Sequence, residues 1–454
     1  MTAIITTPLK KILIDSLVTD IQDSANRYYI GIGKADDWDS SDTPPIPVNT
    51  LREERNTRYA MSSVKNVTDI SFVVPRTTWS SGALYSAYND NIAGHPVQNY
   101  YVITDENQVY ICLRQSKDAA GNSIVSSIKP TGFATTDFQT ADGYVWKFLY
   151  SISSPDASKF LAANYMPVRY VETTTAESSA TDVEQETIQN AAVPKGIVGY
   201  RLTAGGSGYA SAPTVVIEGD GTGAAATATV AGGVVTKVEV RDSAGEMVTG
   251  TGYNNALISM SGGGGSGAVV QPIISTAAGF GADPRVDLRS SAIMLNTKPD
   301  GSESGEFTVN NDFRQVSILK NPKNMVGAAY TAISGNALRA MTFAAITTSF
   351  SVDKLIEGAT SEARAYVDRI DGLQVYYHQT EATGFGAFNE GEVVSELDGA
   401  GTGVLDNASI DTDNNAYDSA AINFLSGDLL YIDNRAAIAR AAEQQEDIKI
   451  IIQI

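Results

Sequence analysis

Cysteine occurs once in the 454 residues, at Cys112, so the chain cannot close a disulfide on itself. Cys112 lies in VYICLRQ among alternating apolar neighbours, the setting of a buried, inert thiol rather than a nucleophile. Histidine occurs twice, at His95 and His378, far apart in sequence. A histidine-based metal site or a Ser/Cys–His pair would have to be built on one of them, which leaves little room for hydrolase chemistry. Positive charge is also short: 32 Lys and Arg face 52 Asp and Glu, a formal charge of -20. That balance repels a phosphate backbone, and no basic cluster offsets it, so nucleic acid is not an expected partner. No apolar run approaches the ~20 residues of a membrane span. The opening MTAIITTPLKKILIDSLVTDIQ has apolar residues at helical spacing, interrupted by Lys10, Lys11 and Asp15. This predicts an amphipathic helix rather than a signal peptide, and a soluble protein of cytoplasmic origin.

What is present is apolar alternation and glycine. With 43% hydrophobic and 19% charged residues the chain can bury a sizeable core. Strands are predicted at RYYIGIG (27–33), DISFVVPR (69–76) and NYYVITDENQVYICLRQ (99–115), the last with a hairpin around Asp105–Glu106–Asn107. DGYVWKFLYSI (142–152) places Tyr144, Trp146, Phe148, Tyr150 and Ile152 on one side by strict alternation. From the residues alone that row is core, partner interface or a stacking platform for sugars.

From about Ala176 to Gly281 the texture becomes dense in Gly, Ala, Ser, Thr and Val. GSGYASAPTVVIEGDGTGA (206–224) aligns without gaps with GTGYNNALISMSGGGGSGA (250–268), 44 positions later. Each copy reads as a Gly turn, a strand, a second Gly turn and a strand of small residues, which predicts a small duplicated β-unit. GDGTGA and GFGADP lack the Gly-Lys-Ser/Thr ending of a phosphate loop and read as hairpin turns. A second Gly-punctuated β-rich zone runs from about Ser349 to Asp411. DTDNNAYD (411–418) spaces Asp411, Asp413 and Asn415 like the start of an EF-hand. Ala416 and Ile422 replace the glycine and glutamate that such a loop needs, so it reads as a solvated acidic loop, as does DDWDSSD (36–42). The final EDIKIIIQI lines up Ile448, Ile450, Ile452 and Ile454, a strand that must be paired within the fold or against a second chain.

Several segments together resemble one family, the small dimeric wedge subunit of the baseplate in T-even-type contractile-tailed bacteriophages. They are YYIGIGKADDW (28–38) with Gly33 and Trp38, and VVPRTTW (73–79) with Pro75, Arg76 and Trp79. DGYVWKFLYSI follows with Gly143, Tyr144 and Trp146, then FRQVSILKNP (313–322) with Phe313, Arg314 and Gln315. SGDLLYIDNRAAI (426–438), with Gly427, Tyr431, Asn434 and Arg435, completes the order. The resemblance covers about 1–172, 285–325 and 420–454. It implies a mainly β, layered β-sandwich scaffold with a few short helices, assigned to 1–175, 283–340 and 412–454. Residues 176–282 and 341–411 are then small inserted β-modules, the first similar to repeats added to many phage tail proteins. The resemblance further implies a homodimer, without catalysis or cofactor, that joins other baseplate wedge proteins in the virion after assembly in the host cytoplasm. A receptor- or glycan-binding tail protein acting through the inserted modules is the alternative. A polysaccharide-degrading enzyme would need paired carboxylates in a cleft, and no segment marks such a pair out.

Overall fold

The computed structural model describes residues 4–93, 99–406, 417 and 419–454. His95 and the Asp411, Asp413 and Asn415 positions of the EF-hand-like loop lie outside the described residues. The fold is mainly β, with short helices and many antiparallel sheets. No helix among the described residues is long and apolar enough to cross a membrane. Two compact units divide the chain: Met1–Asp15 with Ser71–Met294 and Ile451–Ile454, and Ser16–Ile70 with Leu295–Ile450. Residues 176–282 lie wholly within the first unit and 341–411 wholly within the second.

The first unit is built on the aromatic sheet, in the order Tyr101–Ile103, Gln108–Arg114, Val145–Ser151, Phe138–Gln139. Asn107, at φ 58°, makes the hairpin turn that its small polar side chain tolerates. The row of rings is shorter than strict alternation predicts. Phe148 faces Tyr110 but Tyr150 faces Val109, so Leu149 is an extra residue, a β-bulge. Before the bulge, Tyr144, Trp146 and Phe148 pack with Tyr85, Tyr110 and Cys112. Beyond it, Tyr150 turns to the opposite face and joins Val145, Leu149 and Ile152. Both faces are buried, so the rings are core and not a platform. Burial also pushes the Cys112 thiol well up. Elsewhere in this unit Phe72–Pro75 pairs antiparallel with Tyr165–Val168, and the C-terminal segment Ile448–Gln453 is a strand, as its alternation predicts.

The glycine-rich repeat folds as two halves that complete one another. Ser207 pairs with Ser266 and Gly205 with Ala268; adding 44 to one member and removing it from the other gives Thr251 with Thr222 and Thr249 with Ala224, which are also pairs. The central strands Thr214–Gly219 and Ala256–Ser261 pair on the same local two-fold, with Ile217 opposite Ile258. The Tyr209 ring lies where a Cβ on Gly265 would stand 2.5 Å away, and the Tyr253 ring 2.4 Å from one on Gly221. Each tyrosine therefore needs a glycine in the other copy. Ahead of this pair, residues 180–190 form a helix rather than β-structure. Its capping box, Ser179 with Asp182, closes the first turn, and Ile188 is buried.

The second unit holds a five-stranded antiparallel sheet, in the order Ser334–Asn336, Met61–Asn66, Tyr28–Gly33, Asp312–Lys320, Asp428–Ala439. It also holds a closed six-stranded barrel beginning at Arg339 and ending at Leu405. Ala365, Val367, Val375 and Tyr377 alternate inward to fill the barrel with Phe343 and Ile356.

Candidate functional site

The residues that carry the resemblance gather in two places. Gly33, Trp38, Phe313, Arg314, Gln315, Gly427, Tyr431, Asn434 and Arg435 belong to the second unit; Pro75, Arg76, Trp79, Gly143, Tyr144 and Trp146 belong to the first.

In the second unit the loop after Tyr28–Gly33 is held from beneath. A Cβ on Gly33 would lie 2.1 Å from the Ala60 carbonyl oxygen, so only glycine lets the chain pass there. Lys34 follows at φ 64°, pairs with Asp36, and sets its ammonium 5.2 Å from the centre of the Trp38 ring. Trp38 donates through Nε1 to the Arg435 carbonyl at 2.8 Å. The buried Arg314 guanidinium then collects the loop. It donates to Asp42 at 2.7 Å, Asp37 at 2.6 Å, Asp312 at 3.3 Å and the Ala35 carbonyl. A planar guanidinium presents five N–H donors in a fixed fork, enough to serve several carboxylates at once. The hydrogen bond from Arg314 holds the Asp42 carboxyl below its ordinary range. Gln315 donates to Asn434 at 2.8 Å, and Asn434 to the Pro45 carbonyl at 3.1 Å. Phe313 is buried, Tyr431 is half-buried opposite Ile318, and the Arg435 side chain turns out to Asp433. Gly427, at φ 71°, gives its carbonyl to Arg58, which also takes those of Phe424 and Ser426.

DDWDSSD is therefore not simply a solvated loop. Asp37 and Asp42 end on Arg314, and Asp36 faces a buried histidine. His378 lies between two carboxylates: Nδ1 is 2.8 Å from Asp368 and Nε2 is 3.5 Å from Asp36, with the Tyr366 ring stacked alongside at 5.5 Å. Burial alone would lower the imidazole pKa; the charge of Asp368 and the nearby Asp36 override it and raise it to about 10. Burial would raise Asp36, but His378 and Lys34 outweigh it and bring it down to about 2. Nδ1 is hydrogen-bonded to Asp368, and Nε2 stands within ion-pair distance of Asp36 without a hydrogen bond, so the imidazole clasps two acids. Among the described residues no three His, Cys, Asp or Glu side chains are grouped to hold a metal.

The outcome of this scaffolding is an exposed apolar loop. Ile46 is 89% exposed, Val48 55% and Leu51 84%, while Thr50 between them caps the helix Leu51–Tyr59 by accepting from the Glu53 N–H. Scattered apolar side chains on a surface are ordinary; three within six residues of a loop fixed at both ends make a patch.

In the first unit the other six residues form framework. Pro75 accepts from the Tyr101 hydroxyl at 2.8 Å, and Arg76 donates to the Ala162 carbonyl at 3.2 Å. Trp79 donates to Ser126, whose hydroxyl donates to Asp142 at 3.1 Å; Asp142 also takes the N–H groups of Ser127 and Ile128. Gly143 turns at φ 90°, and Tyr144 stacks on Trp146 with ring centres 5.7 Å apart. A scan against models of known protein families finds no match to this chain, and a search of curated proteins finds no relative. Sequence reasoning missed the partners of Arg314 and the role of His378, because all of their acids except Asp312 lie hundreds of residues away in the chain or on another strand.

Proposed function

We propose that the protein is a structural component of a phage tail baseplate wedge, a homodimeric link that joins neighbouring wedge proteins during assembly and the baseplate's conformational switch. One observation carries the reading. Segments 33–38, 313–315 and 434–435, quoted for the resemblance, converge on one network whose product is a fixed loop with Ile46, Val48 and Leu51 outward. Loops that display apolar side chains from a rigid scaffold suit permanent protein contacts, where apolar burial dominates. The test replaces Ile46, Val48 and Leu51 by aspartate. The variant is expected to keep its melting temperature and to drop out of assembled tails or wedge complexes. Incorporation equal to the wild type would overturn the role of the loop. Absence of the native protein from purified tails would overturn the assignment itself.

A further inference from the structure

Within the first unit, the aromatic sheet and the glycine-rich pair do not close fully on each other. A cleft of about 370 Å³ remains between them. Its floor is apolar, formed by Leu113, Val145, Val198 and Ile273 with the Tyr88 ring. Its rim is charged and of unexpected sign. Arg114, Lys117, Arg201 and Lys237 line it against two carboxylates, Glu239 and Asp137, in a chain whose formal charge is -20. Glu239 serves two cations, Arg114 at 2.7 Å and Lys237 at 3.0 Å, and Arg201 is neutralised by Asp90 at 2.8 Å. Lys117 makes no ion pair among the described residues. The cleft therefore keeps a surplus of positive charge, and low-dielectric walls focus that field.

Asp137 supplies the second observation. It stands in the wall shared with an adjoining cavity of about 170 Å³. Lys147, whose Nζ donates to the Thr135 carbonyl, lies on the far side. Asp137 feels the Lys147 charge, yet no described residue donates a hydrogen bond to it. Asp137 is half-buried in the cleft wall, so a ligand that displaces water there must itself supply donors to the carboxylate.

We propose that this cleft binds a small acidic saccharide, one or two rings bearing a carboxylate or a phosphate. A sugar ring has an apolar C–H face for the floor and hydroxyl donors at its edge for Asp137 and Glu239. The anionic substituent meets Lys117 and Lys237. The volume lies within the range of small-ligand clefts. This site is independent of the assembly role argued above and shares no residue with the Ile46–Leu51 loop.

The experiment is calorimetric titration of the full-length protein with glucuronate, glucose 6-phosphate, glucose and inorganic phosphate. At least one anionic sugar is expected to bind saturably with Kd of about 1 mM or tighter. Glucose should bind about tenfold more weakly, and the pair Lys117→Gln with Lys237→Met should abolish that difference by weakening only the anionic sugar about tenfold. Which anionic sugar wins distinguishes carboxylate from phosphate. Asp137→Asn, which keeps the shape, should weaken neutral and anionic sugars alike. Failure of both anionic sugars to saturate would overturn the proposal. So would inorganic phosphate binding as tightly as glucose 6-phosphate, which is a bare anion site, or unchanged sugar affinity in Asp137→Asn. Melting curves of each variant confirm that the fold is retained.

Discussion

Replacing His378 by glutamine removes a cation from between Asp368 and Asp36 while keeping a polar side chain of similar length. The imidazole is buried and its pKa rises from 6.5 to about 10 on folding. A shift of that size is on the order of 5 kcal/mol of preference for the protonated form. Because the folded-state pKa is the higher one, this stabilisation is complete below pH 6.5. It falls as the pH rises from 6.5 towards 10 and is gone above that. In the variant, two carboxylates lose their shared counter-charge, a change that costs about 3–5 kcal/mol when the partner left behind is buried. Urea unfolding at intervals from pH 6 to pH 10 should show the wild type losing stability with rising pH, and His378→Gln starting lower and changing much less. Nuclear magnetic resonance gives a direct check, since only His95 and His378 exist to titrate. If both imidazoles titrate below pH 7, or if wild type and variant weaken in parallel through the alkaline range, the clasp does not hold a proton and the reasoning fails.

Trp146→Ala should destabilise the protein by about 3–5 kcal/mol, because Trp146 is fully buried between Tyr144 and Tyr85; chemical denaturation followed by tyrosine fluorescence reads it. Unchanged stability would remove the core assignment of the aromatic strand. Arg314→Met leaves Asp37, Asp42 and Asp312 without their shared cation and should free residues 35–45 for rapid proteolysis, with the rest of the chain intact. Equal proteolytic protection would mean that the loop is held elsewhere. Tyr209→Ala and Tyr253→Ala should each cost about 2–4 kcal/mol, since both rings are buried in equivalent places of the local two-fold. A large cost for one and none for the other would show that the two halves are not energetically equivalent.

Much of the architecture was legible in short stretches, for reasons that particular residues make plain. YYIGIG and DISFVVP announce strands because β-branched and aromatic side chains suit a pleated, buried surface, and both form them. The 44-residue duplication was visible as spaced glycines and tyrosines, and it folds as one symmetric pair. The Leu51–Tyr59 helix was not foreseen, although Thr50 as its cap was in plain view. Nor was the Ala180–Asn190 helix, whose capping box lay within a stretch read as glycine-rich β-structure. The bulge at Leu149 was also beyond sequence, because alternation carries no information about where a neighbouring strand slips by one residue.

The sequence by itself determined a β-rich chain without a disulfide, with an apolar core and a repeated glycine unit, because period-two alternation and glycine turns are local properties. Only the tertiary structure decided which charges meet. Arg314 with Asp37 and Asp42, His378 with Asp36 from a distant loop and with Asp368 from the neighbouring strand, and Asp137 beside a cation-rimmed cleft all meet through folding. Electrostatic energy depends on distance through space and on burial, and a linear order of residues specifies neither.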